Sequence, residues 1–189
     1  MNLPNKLSVL RLILIPVFVA VFYLQFPYHY LVAAAVFAVS AFTDFLDGHI
    51  ARKYNLITDL GKFLDSSADK VLVLTALIVI VDANLLPLIV GGVGVSIICA
   101  RETLVSCLRM VAASKGVVMA ADKFGKAKTL CQDVTIDAIL ICGEFASTGV
   151  GEILAIVGYV LFGLSLILTI ASGLNYFLGN KKALSQIEK

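Results

Sequence analysis

Charged residues are scarce in this chain of 189 residues, at 15% against about 25% in an ordinary soluble domain. Tryptophan and low-complexity segments are absent. The net charge of +2 is too small for the basic face that a nucleic-acid binder needs, so no nucleic-acid partner is expected. The four cysteines, Cys99, Cys107, Cys131 and Cys142, show no CxxC pair and no other metal-ligand spacing. Each sits in or beside an apolar stretch, which favours reduced packing residues over a disulfide framework. No internal repeat or second domain is evident, so residues 1–189 read as a single domain. What the chain does have is apolar surface: 60% of its residues, with a mean hydropathy of +0.98. A domain this small still exposes much of its surface and cannot hide so many apolar side chains. Lipid is therefore the expected solvent.

Apolar stretches recur at 12–24, 30–42, 71–81, 85–100, 130–142 and 153–176. Several are shorter than the ~20 residues that cross a hydrocarbon core, but helical flanks with polar residues extend them. The pattern predicts an all-α integral membrane protein of about six transmembrane helices. The breaks fall at Gln25-Phe26-Pro27, at Asp82-Ala83-Asn84 before Pro87, and between Gly143 and Glu152. The first run follows Lys6 and Arg11 in the manner of a signal peptide, yet it is long and lacks a clear small-residue cleavage site. All 15 basic residues lie before the first run, between the second and third, between the fourth and fifth, or in the tail. The other connections hold only Asp82, Glu144 and Glu152. By the positive-inside rule both termini are expected in the cytoplasm.

Two pairs of acids stand out. Asp44 and Asp47 are three residues apart, and Asp65 and Asp69 are four apart, so on helices each pair shares one face. The turn at 54–59 separates the pairs, which places both near the cytoplasmic ends of adjacent antiparallel spans. An Asp at the centre of a membrane helix costs roughly 2.5–3.5 kcal/mol even on mild scales, and four together repel one another. Hard divalent cations, which prefer carboxylate oxygens, neutralise such a cluster best. Two ions bridged by shared carboxylates suit a site that holds the attacking and leaving oxygens of a phosphoryl group. The competing reading has these acids capping helix ends or pairing with Arg52, Lys62 and Lys70. Gly48, Gly61 and Ala51 would keep the wall of the site thin, although small residues also serve ordinary helix packing.

Asp44, Asp47-Gly48, Ala51-Arg52, Gly61, Asp65 and Asp69 match without insertion the signature of the CDP-alcohol phosphatidyltransferase family, which the chain thus resembles. The segments Leu3-Pro4-Asn5-Lys6-Leu7-Ser8, Arg101-Glu102 through Leu108-Arg109, and Gly125-Lys126-Ala127-Lys128-Thr129 with Gln132 are similar to bacterial members using glycerol 3-phosphate. Ser66 stands where those members commonly carry Pro. The resemblance implies a six-helix enzyme of the bacterial inner membrane, usually a homodimer among membrane lipids, with its site at the cytoplasmic face. The implied reaction joins CDP-diacylglycerol to sn-glycerol 3-phosphate and yields phosphatidylglycerophosphate and CMP. It further implies two divalent ions, Mg²⁺ or Mn²⁺, on Asp44, Asp47, Asp65 and Asp69, with Asp69 as general base. Gly48, Ala51, Arg52 and Gly61 would border the CDP moiety.

The acceptor phosphate needs cations, and Arg suits it through bidentate bonding. Arg101 and Arg109, eight residues and thus ~80° apart on a helix, and Lys126 are the candidates. The same cations could instead anchor helices at lipid headgroups. His49 reads as a lining residue, and His29, between Tyr28 and Tyr30, as part of an aromatic belt. Asp133 and Asp137 lie deep in the fifth span; Asp133 is expected to line the polar cavity and Asp137 to hydrogen-bond a neighbouring helix. Two alternatives remain: another acceptor, such as serine or an inositol phosphate, and a cation transporter. Acids at helix ends rather than the bilayer midplane, with no repeat, disfavour the transporter.

Overall fold

A computed structural model describes residues 3–53, 59–116, 123–146, 148–149 and 151–180. Within its helices, the side chains at 3–6, 44–53, 59–60, 62–63, 65–66 and 123–124 lie outside that description. The described residues form six helices and no strand: α1 (Leu3–Tyr23), α2 (His29–Lys53), α3 (Asp59–Asp82), α4 (Leu88–Ser114), α5 (Lys123–Glu144) and α6 (Gly151–Gly179). Each apolar stretch of the sequence falls largely within one of them, though 85–87 lie in the turn before α4, and polar flanks continue the helices as expected. Asn84, one of the residues best able to adopt a left-handed backbone, does so at the α3–α4 turn with φ 56°. Gly116, at φ 70°, closes α4 by donating its N–H to the Ala113 carbonyl.

α4 and α6 are long and apolar enough to cross a membrane, at 27 and 29 residues. Shorter apolar stretches, Leu7–Tyr23 and His29–Thr43, lie in α1 and α2. α3 and α5 pass from apolar sequence into segments rich in Asp and Lys, which lowers their apolar continuity. Every helix nonetheless turns a large apolar side chain outward: Ile13, Phe42, Ile78, Ile89, Leu130 and Ile167 are all more than half exposed. Apolar area on this scale, all around a bundle, fits a lipid environment better than water.

The helices close into a ring in the order α1, α2, α5, α6, α4, α3, and α3 also reaches α2 and α5. Phe18, Phe37, Leu72, Leu77, Ile80, Ile136 and Leu140 fill the middle and are essentially inaccessible. At one end of the bundle, acids clamp the helices together. The Tyr23 hydroxyl at the end of α1 donates to Asp82 at the end of α3 (2.6 Å). The Tyr30 backbone N–H, in the first turn of α2, donates to the Glu144 carboxylate (3.0 Å). Glu144 thereby satisfies one of the unpaired N–H groups of that helix start and meets its positive dipole end. His29 packs on Tyr30 with ring centroids 4.0 Å apart, and Phe22 packs on Tyr30 at 5.2 Å, so the expected aromatic group is present at this end.

Small residues set the approach of α4 to α6. A Cβ added at Gly94 would lie 2.6 Å from the Phe162 ring, which is buried and cannot withdraw. Gly92, two residues earlier, faces open space. We expect Gly94→Ala to cost about 1–3 kcal/mol through overpacking. Gly92→Ala should hold or raise the thermal midpoint in detergent, since Ala is the better helix former. Equal midpoints for the two variants would refute this account of the α4–α6 contact.

Candidate active site

The opposite end of the bundle gathers charge. Asp69 lies in α3 at the mouth of a buried stripe that continues through Leu72, Val73 and Ala76, and it is half-buried. The charges close enough to act on it are Lys70, Arg11, Lys128 and Glu102, from four different helices. Arg11 is fully buried, and its Nε–H donates to the Ser40 carbonyl of α2 (3.3 Å).

Glu102 extends the buried face of α4 one turn past Ile98. One oxygen, Oε1, accepts from Lys128 Nζ (2.6 Å) and from Arg101 Nη1 (2.8 Å). Lys128 is only 3% exposed, and Arg101 and Glu102 are about 15% exposed in their side chains. Arg101 Nη2 also donates to Ser172 Oγ of α6 (3.1 Å), whose hydroxyl donates to the Thr169 carbonyl. Arg101 can lie there because position 173 is glycine: a Cβ would stand 3.3 Å from the arginine Cγ. Two cations on one carboxylate leave the group with a net positive charge and spare donors. Arg101 Nε is buried without a hydrogen-bond partner among the described residues, and an ammonium has three N–H groups to offer.

The predicted acceptor cations separate in this geometry. Arg101 and Arg109 both reach α6, Arg101 at Ser172 and Arg109 over the buried Tyr176 ring, 5.4 Å from its centroid. Arg109 is otherwise exposed, as is Lys126. Lys128, two residues beyond Lys126, is the lysine of that segment that enters the interior. Neither Lys128 nor Arg11 is singled out as an interior cation by sequence reasoning, which counts Arg11 as a basic flank and names Lys128 only within the family-like segment 125–129. The nearest sequence signal is that Lys128 falls four residues before Gln132, on one helical face.

For the motif residues, the description covers helix positions more than side chains. Asp44, Asp47, Gly48, Ala51 and Arg52 lie in the last part of α2, and Asp65 in the first part of α3, but their side chains are outside the described residues. His49 lies outside in the same way. Gly61 is in the first turn of α3. Both helix segments belong to helices that pack on α1 and touch each other. A donor set made only of carboxylates, spaced three and four residues apart on two such helices, suits a hard divalent ion. Among the described residues there is no group of three metal-ligating side chains, and the side chains of Asp44, Asp47 and Asp65 lie outside those residues.

Asp133 is half-buried in α5. Asp137 corrects an expectation: it makes no hydrogen bond to a neighbouring helix among the described residues, and its Oδ1 is buried without a partner. A polar bond from α5 to α6 comes from Thr135, whose hydroxyl lies 2.7 Å from the Cys131 carbonyl and 3.2 Å from the Leu161 carbonyl. A threonine can satisfy its hydroxyl this way at no charge-burial cost. The four cysteines are unpaired, as their spacing suggests.

A sequence model described as CDP-alcohol phosphatidyltransferase matches residues 1–171. The chain is 38% identical to the CDP-diacylglycerol--glycerol-3-phosphate 3-phosphatidyltransferase of Bacillus subtilis, over 97% of each chain. It is likewise 38% identical to the protein of that name from Rickettsia bellii, over 96% of each. Against the Salmonella typhimurium protein of that name the identity is 36%, over 93% of this chain and 92% of the other. A match across nine-tenths of the residues, on a bundle whose helices carry the signature acids, means that the chain belongs to the CDP-alcohol phosphatidyltransferase family.

Proposed function

We propose that this protein is a CDP-diacylglycerol--glycerol-3-phosphate 3-phosphatidyltransferase of the bacterial inner membrane, making phosphatidylglycerophosphate and CMP. The observation that carries the reading is the buried Arg101–Glu102–Lys128 group beside Asp69. It places spare cationic donors next to a carboxylate in the polar half of an otherwise apolar bundle. The names of the similar proteins supply the acceptor. All six helices span the membrane in this reading, the termini and the charged end face the cytoplasm, and the enzyme is a homodimer. A lipid donor and a water-soluble acceptor can meet only at such an interface.

The acceptor phosphate sits on Arg101, Arg109 and Lys126, with Lys128 as a further cation behind them. The primary hydroxyl oxygen of glycerol 3-phosphate attacks the phosphorus that carries the diacylglycerol. The bond from that phosphorus to the bridging oxygen of CMP breaks, and CMP leaves with the electron pair. Asp69 accepts the hydroxyl proton, as a general base within hydrogen-bond reach must. Gly48, Ala51, Arg52 and Gly61 border the CDP moiety. Asp44, Asp47, Asp65 and Asp69 would hold two divalent ions, Mg²⁺ or Mn²⁺, which polarise the pyrophosphate and stabilise the leaving group when bound. An inositol phosphate would also suit a cationic pocket, whereas serine would not use it. A panel of acceptors with labelled CDP-diacylglycerol separates them.

Three outcomes follow for purified protein assayed by CMP release. Asp69→Asn should lower kcat/KM by roughly 10²–10⁴-fold with its thermal midpoint unchanged; near-normal turnover would remove Asp69 from the chemistry. Chelation with EDTA should abolish release, and Mn²⁺ or Mg²⁺ should restore it; full activity after exhaustive chelation would refute the ion-dependent site. Arg109→Ala should raise the KM for glycerol 3-phosphate about tenfold, as expected for losing one charged hydrogen bond. The KM for CDP-diacylglycerol should barely move, and equal effects on both substrates would count against the acceptor role.

A further inference from the structure

Gln132 is 1% exposed, yet neither its Oε1 nor its Nε2 has a hydrogen-bond partner among the described residues. Buried carboxamides are ordinarily paired, because an unmade bond leaves both ends desolvated. The residue lies one turn along α5 from Lys128, on the same buried face. Beyond it that face becomes Ile136, Ile139 and Leu140, part of the apolar core. Thr135 beside it is already bonded to backbone carbonyls. Gln132 is thus the last buried polar group on this face of α5 without a bond, just inward of the Arg101–Glu102–Lys128 group.

The chemistry of these groups differs in a way that separates two parts of one ligand. Arg101 and Lys128 offer only donors and positive charge, which suits an anionic phosphate. A carboxamide offers two donors and an acceptor side by side, which suits a hydroxyl that both donates and accepts. A second phosphate would leave the amide oxygen unpaired, and an apolar group would leave the whole amide unpaired.

We propose that Gln132 is a specificity-determining residue whose carboxamide hydrogen-bonds the acceptor hydroxyl that does not attack. The proposal rests on the reading of glycerol 3-phosphate as acceptor, whose secondary hydroxyl is the one concerned. Sites that hydrogen-bond a substrate hydroxyl discriminate strongly against the analogue that lacks it, because the site's own buried polar group is then left unpaired.

The test compares sn-glycerol 3-phosphate with 3-hydroxypropyl phosphate, which keeps the chain length, the phosphate and the attacking hydroxyl but lacks the secondary one. CMP release is measured with CDP-diacylglycerol for the full-length wild-type protein and for Gln132→Leu. The wild type should favour glycerol 3-phosphate by at least tenfold in kcat/KM. In Gln132→Leu the two acceptors should come within threefold of each other, with the loss confined to glycerol 3-phosphate. Gln132→Met, which fills the same volume with a flexible side chain, should behave alike and serves if the leucine variant does not fold. A wild type without preference, an equal fall for both acceptors, or a preference that survives substitution each overturns the role of Gln132 while leaving the acceptor reading standing. A wild type inactive with both acceptors overturns the acceptor reading, and the role of Gln132 with it.

Discussion

A single carboxylate oxygen shared by two cations holds the polar half of this bundle together. Glu102 Oε1 takes hydrogen bonds from Lys128 and Arg101, and all three side chains are largely withdrawn from solvent. A charge in such a place is tolerable only when paired, since desolvation costs several kcal/mol per ion and mutual attraction must offset it. The consequence is architectural. α4 and α5 are not neighbours in the ring of helices, so the Glu102–Lys128 bridge crosses the interior instead of sealing a side. Through Ser172 the same arginine also reaches α6. The interior is therefore polar where these three helices converge and apolar one turn further in.

The two ends of the bundle use their charges differently. At one end each described acid bond is a clamp: Tyr23 with Asp82, and the start of α2 with Glu144. At the other end buried donors remain without partners, on Arg101 and Gln132. Groups that are already bonded tie helices together, whereas desolvated donors without partners suit a ligand that supplies them. Preorganised donors of this kind are what a phosphoryl-transfer site needs, because they stabilise charge without reorganising when it develops. In the proposed reaction the acceptor brings a phosphate to the cations and a hydroxyl to the amide, which is the complement of what the protein leaves unpaired.

Much of this was legible from residue order, for physical reasons that differ by feature. The six helices follow from apolar stretches separated by turn residues, and Asn84 adopts the backbone its side chain favours. The aromatic group around His29 and Tyr30 follows from their place at the start of an apolar helix. Arg101 and Arg109 share a face of α4 as their spacing requires, and both reach α6. Lys128 and Arg11 were not legible as interior residues, because a lysine or arginine beside a membrane span is most often a headgroup anchor. Asp137 misled in the opposite direction. Its depth suggested a bond to a neighbouring helix, but its Oδ1 has no partner among the described residues, while Thr135 reaches α6 with a hydroxyl that needs no compensating charge.

The sequence by itself determined the helices, their apolar character and the helix segments on which the signature acids lie. These are local properties: transfer free energies accumulate residue by residue, and the helical repeat places residues three and four apart on one face whatever surrounds them. Only the tertiary structure decided which cation turns inward. Residues two apart on a helix point roughly 200° apart, so the choice between Lys126 and Lys128 depends on the rotation of α5 about its own axis. That rotation is set by how α5 packs against α2 and α6, through contacts between residues far apart in the chain.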